Sequence, residues 1–164
     1  MFDHEIRDAA DRVLTSCRKH KLKVVTAESC TGGLVAAALT AIAGSSDVVE
    51  RGFVTYANEA KHEMLGVAWD TLDSHGAVSE PVARAMARGA LTHSTATISV
   101  SVTGVAGPGG GSVEKPVGLV HFAAARTGFD IVAEHHVFPG DRDGIRRLAT
   151  ITALSLLAAL AERS

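Results

Sequence analysis

Ser29 stands in the segment Ala27-Glu28-Ser29-Cys30-Thr31-Gly32-Gly33, between a short apolar run and an Ala/Leu-rich stretch. A serine that closes a strand and opens a helix lies near backbone N–H groups with no intrahelical acceptor, and such donors suit an oxyanion. Thr31, Gly32 and Gly33 would supply them, the glycines letting a carbonyl or phosphate approach the backbone at the positive end of the helix dipole. The spacing fits neither a P-loop nor a Gly-x-Ser-x-Gly elbow, and a serine that merely caps a helix would leave the same local pattern. Cys30 is a rival nucleophile, but no histidine or acid stands at a recognisable spacing from it, so it reads as a packing thiol.

Lys61 is the candidate base. It falls in the first turn of a short helix that Asn58 could cap, where the macrodipole disfavours a cation and lowers its pKa. Burial beside Tyr56 would act in the same direction, whereas Glu59 and Glu63 would oppose it; the alternative is an ordinary solvated lysine. The stretch Thr103-Gly104-Val105-Ala106-Gly107-Pro108-Gly109-Gly110-Gly111 follows an apolar strand and offers a wall of backbone donors, either a ligand cradle or a long surface turn. Lys115, just beyond it, either faces water or points back at an anion. Arg142 follows Asp141 in the first turn of the last helix, where a phosphate would compensate its charge, as would an ion pair with Asp141 or Asp143. Arg146 lies one turn on along the same face.

These residues need a scaffold, and its pieces are legible. Ile6, Ala9, Ala10, Val13, Leu14 and Cys17 recur at helical spacing, so an amphipathic helix opens the chain. Leu22 to Ala27 predicts a buried strand, followed through the Ser29 turn by a helix ending at Gly44. Val48 to Tyr56 is β-rich, Asn58 to about Gly66 predicts a short helix, and Ser79-Glu80-Pro81 opens another reaching about His93. Thr95 to Thr103 predicts a strand, and Pro116 to Arg126 with Phe129 to Phe138 a hairpin joined by Thr127-Gly128. Asp141 then caps a long C-terminal helix. Strands alternating with helices and then a hairpin imply a mixed sheet covered on both faces, an α/β fold built as a three-layer α/β/α sandwich. With no repeat or low-complexity linker, residues 1–164 are expected to form one domain.

Composition narrows the chemistry further. The chain has 164 residues, 46% of them hydrophobic, which suits a single globular core. Lys plus Arg number 16 against 18 for Asp plus Glu, so no overall field draws nucleic acid, and the few aromatics interleave with no basic run. Cys17 and Cys30 lack disulfide-like spacing and no signal segment precedes the first helix, which fits a reducing cytoplasm. The apolar stretch Ile151 to Ala161 is too short for a bilayer span and reads as a core or interface helix. The eight histidines form no Cys/His cluster and no His-Glu-x-x-His pattern, so neither a metal nor any other cofactor is expected. The lack of clustered acids also weighs against a metal-dependent phosphatase or pyrophosphatase.

Taken together, the Ala27–Gly33 segment, Tyr56-x-Asn58-x-x-Lys61 and Thr103–Pro108 resemble the CinA C-terminal domain family in order and spacing. Gly76-Ala77-Val78-Ser79, Lys115-Pro116-Val117-Gly118 and Phe138-x-Gly140-Asp141-Arg142 extend the resemblance over essentially the whole chain. Val105 stands where isoleucine is expected, a conservative change. Nothing here corresponds to the molybdopterin-binding-like domain that precedes this one in larger family members. The resemblance implies amidohydrolase activity on nicotinamide mononucleotide, giving nicotinate mononucleotide and ammonia. It implies Ser29 as nucleophile, Lys61 as base and Tyr56 beside them, with Thr31, Gly32, Gly33, Thr103, Gly104, Ala106, Gly107 and Arg142 contacting substrate, Arg142 near its phosphate. The alternative is a non-catalytic nucleotide-binding or interaction module tied to competence and DNA damage. The resemblance and the apolar last helix both imply a homodimer or larger assembly.

Overall fold

A computed structural model describes all residues 1–164. Helix α1 (His4–Lys19) is capped by Asp3 and packs its Ile6-Ala9-Ala10-Val13-Leu14-Cys17 face inward. Strand β1 (Val24–Glu28) leads through the Ser29 turn into α2 (Leu34–Thr40), and β2 (Val49–Val54) follows a single 3-10 turn. Helices α3 (Asn58–Leu65), α4 (Trp69–His75) and α5 (Glu80–Thr92) precede β3 (Ile98–Gly104). Strands β4 (Leu119–Arg126) and β5 (Val132–Val137) form the hairpin, and α6 (Arg142–Ala161) closes the chain.

The sheet order is β2-β1-β3-β4-β5, with β2, β1 and β3 parallel and β4 and β5 antiparallel. The expected mixed sheet and its two helical layers are therefore present. From β1 the chain winds outward to β2 through α2, then returns past β1 to β3 through α3, α4 and α5. The chain thus leaves the carboxyl ends of the paired strands β1 and β3 toward opposite sides of the sheet, at the place where open α/β sheets bind ligands.

Strand alternation sorts the two faces. Val24, Ile98, Val100, Val102, Val120, Phe122 and Ala124 meet α1, α2 and α6 in the larger apolar cluster. Val25 and Ala27 point the other way, against Leu65, Leu72, Val82 and Met86. On that second face β3 carries Ser99, Ser101 and Thr103 in alternate positions, all buried. Their hydroxyls donate to Ala87 O at 2.7 Å, Ala83 O at 2.6 Å and Ala77 O at 2.9 Å. These bonds satisfy hydroxyls that would otherwise be costly to bury, and they tie α5 and the turn before it closely to β3.

The boundaries differ from expectation in ways with local causes. Strand β1 starts at Val24 because Lys21 takes a left-handed φ of 56° and Leu22 N–H turns back to Cys17 O at 2.8 Å. Helix α2 ends at Thr40, short of Gly44, where Thr40 Oγ1 donates back to Ala36 O and Ala37 O. Asn58 is the first helical residue of α3 and Ala57 is its N-cap, with no side-chain cap bond. Helix α4 is an additional element, seven residues long, between Gly66 and Gly76, where the sequence predicts none. By length and composition α6 could cross a bilayer, yet Ile145, Ala149, Ala153, Leu154, Leu157 and Leu160 pack it into the larger core cluster.

Gly89 shows how tightly α3 is seated on α5. A Cβ there would collide with the Leu65 carbonyl oxygen at the end of α3. Because that neighbour is backbone, Gly89→Ala is expected to lower stability by at least about 2 kcal/mol, read as a lower urea midpoint at unchanged m-value.

Candidate active site

Ser29, Cys30, Tyr56, Lys61, Ala77, Thr103, Gly104, Ala106, Gly107 and Arg142 are among the residues lining one open cleft of about 300 Å3 at the carboxyl ends of β1 and β3. Ser29 reaches it because β1 ends one residue earlier and its own N–H is held by Val102 O of β3 at 2.9 Å. Lys61 reaches it from α3, and its ammonium lies 3.0 Å from Ser29 Oγ. The two groups are 32 positions apart in the chain.

Lys61 is 1% exposed, and the site around its amine is fully partnered. Besides Ser29 Oγ, Nζ donates to Thr55 O at 2.8 Å and Tyr56 O at 3.1 Å. No carboxylate pairs with it. Burial is the main reason its pKa falls from 10.5 to about 8, with the Cys30 sulfur pulling weakly in the opposite direction. The sign that sequence left open is thus fixed by desolvation. A neutral amine suits these partners: two N–H bonds serve the two carbonyls, and the remaining lone pair faces the Ser29 hydroxyl. The Cys30 thiol, which burial instead pushes up to about 11, is a poor nucleophile beside it.

The expected donor set at the start of α2 is arranged differently. Thr31, Gly32 and Gly33 do not line the cleft. Gly32 N–H is spent on Ser29 O at 3.0 Å, closing the turn. The amides of Val35 and Ala36 go to the carboxylate of Glu28, at 2.8 and 3.0 Å, and Thr31 Oγ1 donates to the same group at 2.7 Å. The helix end that sequence assigned to a ligand anion is occupied by the chain's own carboxylate. Cys30 N–H, in contrast, has no backbone acceptor and belongs to a residue on the cleft wall.

The opposite end of the cleft is built by the glycine-rich loop and α6. Val105 N–H bonds Leu119 O and Gly118 N–H bonds Val105 O, anchoring the loop's start to β4, while the amides of Ala106, Gly107, Gly109 and Gly110 carry no protein acceptor. Arg142 stretches across this end, donating to Gly107 O at 2.6 Å and to Tyr56 Oη at 3.1 Å. Its guanidinium touches neutral groups, so its charge remains uncompensated by either neighbouring aspartate. Lys115 points away, donating to His75 O at 2.6 Å and strapping the loop to the end of α4.

Two residues that sequence reading did not place in the site shape it. Glu28 is fully buried, and an acidic residue ending an apolar strand is the signal that could have marked it. Arg146 donates to Cys30 O at 3.1 Å and Thr31 O at 3.2 Å, holding the Ser29 turn from the side of α6. Its spacing from Arg142 was visible, but its long-range partner was not.

Residues 6–161 match the family model of the CinA C-terminal domain. The chain is 52% identical over 157 residues to the nicotinamide-nucleotide amidohydrolase PncC of Escherichia coli strain K12, covering 96% of this chain and 95% of that one. It is also 54% identical over 140 residues to a putative competence-damage inducible protein of Symbiobacterium thermophilum, covering 80% of this chain and 33% of that longer protein. The crystal structure of competence/damage inducible protein CihA from Agrobacterium tumefaciens superposes with a TM-score of 0.95 at 52% identity, covering 98% of both chains. A CinA superfamily protein from Escherichia coli superposes with a TM-score of 0.91 at 35% identity, covering 98% of this chain and 93% of that one.

Arg142 is the residue that ties the loop to the rest of the cleft. Arg142→Met is expected to speed exchange of the two bonded amides that anchor the loop, Val105 N–H and Gly118 N–H, by about tenfold or more, while changing global stability by less than about 1 kcal/mol. Exchange measured by mass spectrometry on loop peptides checks this, with β1 peptides as the unchanged reference.

Proposed function

The chain belongs to the CinA C-terminal domain family, and we propose from that premise that it hydrolyses the carboxamide of nicotinamide mononucleotide to give nicotinate mononucleotide and ammonia. The observation that carries the chemical part of this reading is the buried Lys61 amine, without a carboxylate partner, at 3.0 Å from Ser29 Oγ.

In this reading neutral Lys61 takes the Ser29 proton as the hydroxyl oxygen bonds to the carboxamide carbon. The tetrahedral oxyanion is stabilised by the Cys30 N–H, in place of the Thr31 to Gly33 donors. As the C–N bond breaks, the Lys61 ammonium gives its proton to the departing nitrogen, and ammonia leaves. Water then attacks the Ser29 ester, again losing a proton to Lys61, and that proton returns to Ser29 Oγ as the acid is released. The nucleotide phosphate lies at the far end, between the guanidinium of Arg142 and the free amides of Ala106, Gly107, Gly109 and Gly110. Tyr56, held by Arg142, and Thr103, held by Ala77 O, shape the walls between.

The proposal extends to a reducing cytoplasm, where the buried free thiols Cys17 and Cys30 are stable, and to self-association. Leu148, Ile151 and Leu156 on α6 are only partly covered within one chain, and sedimentation equilibrium reads whether a second copy covers them.

Purified protein incubated with nicotinamide mononucleotide is expected to release ammonia and nicotinate mononucleotide in equal amounts. Binding without product overturns the catalytic reading in favour of a binding module. Ser29→Ala and Lys61→Met should each lower kcat by at least about 10^3-fold with the fold retained. Because the neutral amine is the active form and its pKa is about 8, kcat/KM should fall about tenfold per pH unit below that value and level off above it. A flat profile from pH 6 to 9 contradicts Lys61 as base. Nicotinamide riboside, which lacks the phosphate, should react at least about tenfold more slowly, and equal rates would remove Arg142 from phosphate recognition.

A further inference from the structure

We propose that Glu28 is a positioning residue, whose carboxylate fixes the Ser29 turn against Lys61 and fills the α2 end so that the substrate's anionic group is directed to the Arg142 end. The second half of this statement rests on the nucleotide reading above. The first rests on the geometry alone.

Glu28 is fully buried and its carboxylate accepts four hydrogen bonds. Thr31 Oγ1 and Val35 N–H reach one oxygen at 2.7 and 2.8 Å; Ala36 N–H and Thr26 Oγ1 reach the other at 3.0 and 3.3 Å. These are charge-assisted bonds to a fully buried group, where a carboxylate left unpartnered would be strongly unfavourable. The residue at the N-cap position is Gly33, whose φ of 103° is one that L side chains rarely adopt, so no local side chain caps this helix and the partner of its amides has to come from elsewhere in the chain. Glu28 instead reaches from the last position of β1, across the Ser29 turn, and binds both the turn and the helix beyond it to the sheet.

The backbone of the same residue touches the other half of the dyad. Thr55 N–H donates to Glu28 O at 2.8 Å, and Thr55 O is one of the two carbonyls that hold Lys61 Nζ. Glu28 therefore fixes the turn bearing the hydroxyl through its side chain and the segment bearing the amine's acceptor through its carbonyl. Substitution of the side chain removes the first constraint and leaves the second. The hydroxyl should then sample positions away from the amine, while the walls formed by the loop and Arg142 keep their shape.

The test is Glu28→Gln, which preserves size but turns an amide N–H2 toward a backbone N–H. We expect kcat with nicotinamide mononucleotide to fall at least tenfold, KM to change less than threefold, and the acid-limb midpoint to stay near that of the wild-type protein. Leu14→Ala, a buried change in α1 far from the cleft, serves as the stability control and should leave kcat intact at a temperature where both variants are folded. Should Glu28→Gln not fold, Thr31→Val removes the 2.7 Å donor alone and should lower kcat severalfold at unchanged KM. A fluorophosphonate probe that labels Ser29, read by intact mass, supplies a readout that needs no nucleotide; labelling should slow at least tenfold in Glu28→Gln. Wild-type labelling without nucleotide turnover would sink the substrate reading and leave the positioning role measurable. Wild-type kcat and wild-type labelling in the folded variant, or a loss confined to KM, overturns the proposal. So does a wild-type protein that neither labels nor turns over, since there would be no reactive hydroxyl to position.

Discussion

The contact between Lys61 Nζ and Ser29 Oγ lies buried at the wall of the cleft, and much of the surrounding structure follows from keeping an amine there. A lysine brought into such a place without a carboxylate partner loses more as a cation than as a neutral base. Thr55 O and Tyr56 O accept from it but carry no full charge, so they orient the amine without holding its proton. That requires the end of β2 and the start of α3 to stay fixed relative to β1. The Thr55 amide on Glu28 O secures one side, and the close seating of Leu65 against Gly89 secures the other.

Charge is divided along the cleft in a way that suits an amide at one end and an anion at the other. Near Ser29 the positive helix end is already neutralised by Glu28, leaving the local amide of Cys30. Toward α6 the free loop amides and Arg142 carry uncompensated positive character. One helix links the two ends, since Arg146 holds the Ser29 turn while Arg142, one turn earlier, holds Gly107 and Tyr56. The change of chain direction between β1 and β3 puts both ends in the same crevice.

Most of this scaffold was legible in the sequence because the signals were local. The caps Ser79 and Asp141 opened helices where they were expected to, and the β-branched run before Gly104 and the Thr127-Gly128 turn marked the later strands. Helix α4 escaped because seven residues with a single buried apolar side chain, Leu72, carry no measurable period. The site was legible as a set of residue types, and the cleft does gather Ser29, Tyr56, Lys61, Thr103 and Arg142. What local pattern could not give was occupancy: whether α2's free amides would meet a ligand or a carboxylate depended on the rotamer of Glu28. The direction of the Lys61 shift was hidden for a similar reason. Glu59 and Glu63 are neighbours in sequence, but burial by distant segments decides the outcome.

The most direct test of the central claim is the titration of Lys61 itself, followed through its side-chain carbon resonance in protein labelled with 13C-lysine and assigned with Lys61→Met. A midpoint near 8 is the expected result, well separated from the ordinary lysine value of 10.5. A midpoint at or above 10.5 would leave less than about 0.1% of the amine neutral at pH 7, against roughly a tenth for a midpoint of 8, and Ser29 would have no usable base.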